Sequence, residues 1–398
     1  MHLTKEEEQI LNGEHGETLQ KAIEILVALG DIYDADGLIP IKSAQIAGVS
    51  YKTIGDAGLE WISDLEGEVK VPAILNPAGM DLENWNEMGI SKDFARKQQE
   101  IIDAYRKLGV NTKCTCTPYY LEGFDTEYGD HLAWSESSAV SYANSVIGAR
   151  TNREGGPSAL SAALIGKTAN YGYHLDENRI PDVSITVDCE LTGSDYGALG
   201  YQTGMMVGNR VPLFHLKNTP SSDELKALGA SMAATGAVAL YHVDGVTPET
   251  QNIRFEQPSE NITIEADQIQ EVYNTNSDIQ NSDEIIAFGC PHCSGDELEY
   301  IAQLLDNKQV DRDVWICTSK EVADKNPQIV DRIEKSGAMV VCDTCMIVSP
   351  ASENYKMMMV NSGKALNYVP GMCKIPSKFG SIKDCIREAG ANNRNNKN

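Results

Sequence analysis

The chain has 398 residues, 41% hydrophobic and 23% charged, the balance of a soluble globular protein with a large core and roughly two or three domains. Its net charge of −25, from 58 acids against 33 bases, leaves no basic stripe to neutralise phosphates and argues against nucleic acid or an anionic membrane as main partner. No apolar run approaches the ~18 residues of a membrane span, and the amino terminus MHLTKEEEQILNG carries no apolar signal core, so a cytoplasmic protein is expected.

Residues 4–12 and 16–29 have helical periodicity. The stretch GVSYKTIGDAGLEWI (48–62) reads as a loop of tight glycine turns whose backbone N–H groups could face a ligand. A buried strand is expected within 69–81, stopping at Asn76-Pro77, then a helix over 92–108 and a strand from Val110 to Cys116. Strand, helix, strand is the pattern of a parallel βαβ unit. A helix over 133–150 would carry Ser135, Ser137, Ser138, Ser141, Asn144 and Ser145, small polar residues that let a ligand or another backbone come close. It breaks at Thr151-Asn152-Arg153-Glu154-Gly155-Gly156-Pro157, and Pro157 would open a helix over 158–165 whose free N–H groups favour an anion.

Further on, 181–191 reads as a strand and the Gly- and Met-rich 197–209 as a close-packed turn and strand. A helix at 222–234 leads into a strand within 237–249, and 250–281 reads as a connecting region. The carboxy-terminal part alternates most clearly. Strands are expected at 283–290, 313–319 and 337–345, with helices from the Ser294–Glu297 capping box to Leu305, over 320–336, and from about 381. The fold class is therefore α/β, built of several doubly wound domains, with a subdivision into 1–150, 151–281, 282–390 and a flexible, Asn-rich tail, 391–398.

Ten cysteines without a secretion signal are expected as thiols. Cys116, Cys290 and Cys345 each fall at the carboxyl end of a predicted strand, where parallel sheets bind ligands, and three thiolates from distant strand ends could converge on one metal or cluster. Cys317 also ends a strand and remains a rival. The pairs Cys290/Cys293 and Cys342/Cys345 leave a four-thiolate zinc site open, although Cys342 would have to leave its strand to ligate. Cys189, Cys342 and Cys114 read by default as small buried hydrophobes. Three thiolates on a 4Fe–4S cluster would leave one iron open as a Lewis acid, suited to eliminating water from a hydroxy acid. No G-x-S-x-G, Walker A or G-x-G-x-x-G pattern occurs, which argues against serine hydrolase and nucleotide chemistry. His131 and His292 lie beside the chemically rich segments.

GVSYKTIGDAGLEWI, TCTPYY (115–120), AWSESSAVSYANSVIGARTNREGGPSAL (133–160), GCPH (289–292), DTCMIVSP (343–350) and NSGKALNY (361–368) run through nearly the whole chain, and together they resemble the aconitase X family. The resemblance implies an aconitase-like fold around a central iron–sulfur cleft. The chain ends soon after the DTC and NSGK segments, so it resembles the standalone archaeal-type large subunit. That form implies a hydro-lyase which dehydrates (R)-5-phosphomevalonate to trans-anhydromevalonate 5-phosphate in the archaeal mevalonate route to isoprenoids. By motif, the cluster ligands would be Cys116, Cys290 and Cys345, with Cys293 and Cys342 unassigned, and 4Fe–4S the expected cluster. Substrate contacts would be Gly48, Val49, Ser50, Asn76, Pro77, Glu136, Ser137 and Lys364, with Arg150 and Arg153 as further anion-binding candidates. The proton-abstracting serine of the superfamily belongs to the small domain, so a small-subunit partner would complete a heterodimer and this chain alone would be inactive. The alternatives are a cis-3-hydroxyproline-type dehydratase of the same family and a non-catalytic iron–sulfur or zinc protein.

Overall fold

The computed structural model describes residues 1–253, 255–277, 283–390 and 392–393. Helix α1 (Lys5–Leu11) opens on a capping box between Thr4 and Glu7, and α2 (Glu17–Ile32) buries Ala22, Ile23 and Leu26 on one face. Strands β1 (Ala44–Ile46), β2 (Ala73–Leu75), β3 (Asn111–Cys114) and β4 (Ala133–Trp134) form a parallel sheet of order β3-β2-β1-β4. The expected glycine-turn loop after β1 is instead a helix, α3 (Tyr51–Ser63), capped at Ser50. Gly55, at φ 59°, kinks it without ending it, so glycine here bends the helix and does not close a turn. Helix α4 (Lys92–Lys107) joins β2 to β3 and is capped by Ser91.

The single helix expected over 133–150 does not form. β4 takes its first residues, α5 (Ser137–Tyr142) follows, and Ala143–Ile147 widens into a π-turn closed by Gly148 at φ 77°. The cause is Asn144, whose side chain bonds Thr151 N at 3.0 Å, Thr151 O at 2.9 Å and Ala239 O at 2.9 Å and so pulls the backbone out of register. Helix α6 (Gly156–Ile165) starts beside Pro157 as expected. Its amino end is no free anion site, because Ser158 Oγ donates to the buried Glu154 carboxylate at 2.6 Å. A short ribbon pairs Leu38–Pro40 with Lys167–Ala169 and ties the segment after α6 to the amino-terminal sheet.

The second sheet contains β5 (Val183–Val187), β6 (Pro212–His215), β7 (His242–Val243) and β8 (Asn261–Ile264), all parallel, in the order β8-β5-β6-β7. The Gly- and Met-rich stretch is helix α7 (Asp195–Val207) and not a strand. A Cβ on Gly200 would stand 2.3 Å from Leu228 O, and one on Gly204 would stand 2.1 Å from Thr235 Oγ1. These glycines let α7 lie directly on α8 (Ser222–Thr235). The expected connecting region supplies β8 and α9 (Ala266–Tyr273), while residues 254 and 278–281 of it lie outside the described residues.

The third sheet runs β11-β10-β9-β12-β13, from β9 (Glu284–Phe288), β10 (Val314–Thr318), β11 (Met339–Cys342), β12 (Met357–Val360) and β13 (Ser377–Phe379), again all parallel. Helices α10 (Gly295–Leu305), α11 (Lys320–Lys325) and α12 (Gly363–Met372) follow β9, β10 and β12, and Pro327 ends α11 early and opens the next helix. The tail expected to be flexible lies outside the described residues, except that the backbone of Asn392–Asn393 pairs with Lys308–Gln309. Among the described residues no helix is long and apolar enough to cross a membrane.

Strand order reverses between β1 and β4 in the first sheet and between β9 and β12 in the third. At such a reversal the connecting helices leave to opposite faces and open a crevice beyond the carboxyl ends of the strands. The two sheets meet end to end there: Ala78 N donates to Asp343 O at 2.9 Å, and Thr344 Oγ1 donates to Ala78 O at 2.7 Å.

Candidate active site

A cavity of about 100 Å³ occupies this junction. The first sheet contributes Asn76 and Pro77 after β2, Cys116 after β3 and Glu136 after β4. From the third come Gly289 and Cys290 after β9, Cys345, Ile347 and Val348 after β11, and Lys364 and Tyr368 on α12. The chain has larger hollows, about 610 Å³ beside Arg179, about 330 Å³ beside Trp61 and about 340 Å³ beside Lys320; of these the last holds a cysteine, Cys342, and none gathers three.

Within each close pair of cysteines one thiol faces the cavity. Cys290 and Cys345 line it, whereas Cys293 packs among Leu298, Ile301 and Ile316, and Cys342 lines a separate surface hollow with Lys320 and Glu334. Cys114 is buried in the amino-terminal core, its Sγ 3.4 Å from Thr112 O, and Cys317 is buried in the central core. All ten cysteines are free. Because Cys342 opens elsewhere, the two C-x-x-C pairs do not converge into a four-thiolate zinc site.

Among the described residues no three His, Cys, Asp or Glu side chains stand close enough to share one metal ion, yet three thiols line one cavity. A lining of three thiols has the donor chemistry to hold a metal cofactor. Burial, foremost, raises all three thiols above the ordinary cysteine value, Cys290 to about 12, so without a bound cation each is protonated. Coordination would remove those protons.

The same cavity is lined by a buried ion pair between Lys364 and Glu136. Glu136 caps α5, accepting the N–H groups of Ser138 and Ala139, each at 2.9 Å, and the hydroxyls of Ser138 and Ser137. Burial works against its charge, but Lys364 and these donors outweigh burial and hold the carboxyl below its ordinary value. Lys364 is likewise opposed by burial and held cationic by Glu136. Asn76 lines the same cavity, and its buried Oδ1 has no hydrogen-bond partner, leaving an acceptor open to a ligand.

Gly48, Val49, Ser50 and Ser137, expected as substrate contacts, are not among the residues that line the cavity. Ser50 Oγ donates to Val348 O at 2.9 Å, and Ser137 Oγ to Glu136 Oε1 at 3.2 Å. Arg150 and Arg153 do not come to the cavity. Unwinding of 143–147 carries Arg150 into a bridge with His131 and an ion pair with Asp176, where it lines the 610 Å³ hollow, and Arg153 is exposed.

Two buried glutamines shape the site without any motif to announce them. Gln45 on β1 donates to Thr115 O at 2.9 Å and accepts Glu136 N at 3.2 Å, linking the Cys116 loop to the α5 cap. Gln98 on α4 donates to Val49 O at 2.9 Å and accepts Tyr51 N at 3.0 Å and Gly79 N at 2.9 Å, joining the loops after β1 and β2. A polar residue on the otherwise apolar buried face of an amphipathic helix is the one signal that could have found Gln98.

Parallel sheets whose carboxyl ends enclose three thiols and a lysine–glutamate pair define an enzyme of the doubly wound α/β class. Residues 1–177, 181–274 and 283–391 match, respectively, the first, second and third domains of aconitase X. The chain belongs to the aconitase X family. It is 67% identical to the phosphomevalonate dehydratase large subunit of Methanosarcina mazei over 98% of this chain and 97% of that protein. It is 52% identical to the phosphomevalonate dehydratase large subunit of Methanothermobacter thermautotrophicus over 97% and 98%. Among solved structures it resembles the holo-form of Thermococcus kodakaraensis aconitase X, with a TM-score of 0.89 and 46% identity over 98% of this chain and 100% of that one. Family membership implies a metal cofactor, and the relatives' designation as large subunits implies a small subunit as their partner.

Proposed function

We propose that this chain is the large subunit of a hydro-lyase that dehydrates (R)-5-phosphomevalonate to trans-anhydromevalonate 5-phosphate, with a separate small subunit completing the active site. The observation that carries the reading is the convergence of Cys116, Cys290, Cys345, Glu136 and Lys364 on one cavity between two sheet ends. The relatives matched end to end support the choice of substrate. Cys116, Cys290 and Cys345 would hold a 4Fe–4S cluster. Such a cluster, held by three protein thiolates, supplies an open iron whose Lewis acidity makes a hydroxyl a better leaving group.

The chain's own residues bind and orient. Lys364 puts a fixed positive charge into the cavity, where it meets the acid's carboxylate. Asn76 Oδ1 accepts a hydrogen bond from a hydroxyl of the ligand. Glu136, held ionised below its ordinary value, is a weak proton acceptor, which supports a base supplied by the partner rather than by this chain. The ten free thiols support a reducing compartment such as the cytoplasm. The ribbon joining 38–40 to 167–169 supports a first unit extending to about residue 177, beyond the boundary at 150.

The test is to co-express the chain with the small subunit, reconstitute anaerobically, and follow loss of (R)-5-phosphomevalonate. Turnover by the complex and none by this chain alone is expected. Turnover by the chain alone, or by the complex of cis-3-hydroxyproline and not of phosphomevalonate, would overturn the reading.

A further inference from the structure

His292 touches all three loops that carry the cavity thiols. The side chain is fully buried. Its Nε2 lies 2.8 Å from Thr344 O, next to Cys345, and its Nδ1 lies 3.0 Å from Thr115 Oγ1, next to Cys116. It follows Cys290 by two positions, and its backbone N–H donates to Cys116 Sγ at 3.1 Å. A carbonyl oxygen only accepts, so Nε2 carries the proton and Nδ1 accepts from the Thr115 hydroxyl. Thr115 Oγ1 in turn accepts the Thr117 N–H at 3.0 Å and lies 3.0 Å from Thr117 Oγ1; with the Thr117 hydroxyl donating, the Thr115 proton goes to the imidazole. Both ring nitrogens are therefore engaged by protein groups, and the ring is not a ligand itself.

We propose that His292 is a positioning residue that sets the spacing of Cys116, Cys290 and Cys345 for the cluster. A single imidazole bridges the loops after β3 and β11 while standing on the loop after β9, so the three thiols cannot separate without breaking one of its bonds. The inference rests on the reading that these three cysteines hold the cluster. Partners that orient ligands in this way typically change metal affinity about 10–100-fold when removed.

The experiment uses the anaerobically reconstituted two-subunit complex and reads iron stoichiometry, the visible absorption band, and the rate of iron loss to a chelator. The thermal midpoint of the iron-free protein is read alongside. Thr115→Val removes one bond at constant shape, and His292→Gln keeps a donor toward Thr344 O while losing the Nδ1 acceptor. Each is expected to release iron about 10-fold faster or more, with the iron-free midpoint near wild type. Because both act on the same bond, the double variant is expected to be little faster than either single one. Iron release at the wild-type rate in both single variants, or a fall in the iron-free midpoint with unchanged release, overturns the brace. Cys345→Ser separates the two levels: if it too keeps its iron, the ligand assignment fails and the brace with it. If it loses iron while the His292 and Thr115 variants do not, only the brace fails.

Discussion

Lys364 and Glu136 are 228 positions apart in the chain and form a buried ion pair in the wall of one cavity. Lys364 lies in the first turn of α12, beyond the third sheet, and Glu136 caps α5, beyond the first. The pair therefore joins the two halves of the site and gives the cavity a cation whose partner carboxylate is held by four further donors. Lys364→Met is expected to cost about 3–5 kcal/mol, because it strands a buried carboxylate. Glu136→Gln, which can still accept from the α5 amides, is expected to cost less stability but to lower turnover by the complex about 100-fold, since Lys364 loses its anchor. Denaturant unfolding and steady-state kinetics on both variants decide; equal effects on stability would show that the pair is not what holds the cavity.

Only one cysteine of each close pair faces the cavity. Cys116→Ser, Cys290→Ser and Cys345→Ser should each lose the brown colour and the activity of the reconstituted complex. Cys342→Ser should keep both, because that thiol opens onto the hollow beside Lys320. Iron analysis after desalting checks this, and a colourless Cys342→Ser would reverse the choice within its pair.

Gln98 holds the loop of Val49 and Tyr51 against the loop of Gly79 through three bonds. Gln98→Leu leaves two N–H groups and a carbonyl buried without partners, each costing about 1–3 kcal/mol. A lowered thermal midpoint is expected, with a rise in KM larger than any fall in kcat, since Asn76 and Ser50 sit on the loops set adrift. An unchanged KM would detach these loops from substrate binding.

Glu321 on α11 accepts Lys113 Nζ at 2.6 Å, Lys325 Nζ at 2.8 Å and Glu122 N at 3.0 Å, pinning the segment around Cys116 to the third sheet's helices. Burial opposes its charge, but these donors outweigh burial and hold it at about 2, below its ordinary 4.5. A lowered folded value means that the unfolded chain binds the proton more readily. The stabilisation is therefore complete above about pH 4.5 and is lost as the pH falls toward 2. Glu321→Gln should be less stable near neutrality and should show a shallower acid decline across that window. Urea midpoints measured from pH 6 downward test it; parallel curves would remove Glu321 as the cause.

The parallel α/β class, the capping box at Ser294 and the strand-end positions of Cys116, Cys290 and Cys345 were legible in the chain itself. They rest on short-range rules: apolar runs, turn residues and side chains that reach their own backbone. The helical state of 51–63 and 195–207 was not legible, because glycine lowers helix propensity and only the close approach of α7 and α8 makes Gly200 and Gly204 favourable. Nor could spacing show which thiol of a pair turns inward, that Asn144 unwinds its helix and carries Arg150 away, or that His292, Gln45 and Gln98 tie the loops together. Apart from the Asn144–Thr151 bonds, those outcomes are contacts between residues tens to hundreds of positions apart, and local pattern carries no record of a partner that arrives only when sheets meet end to end.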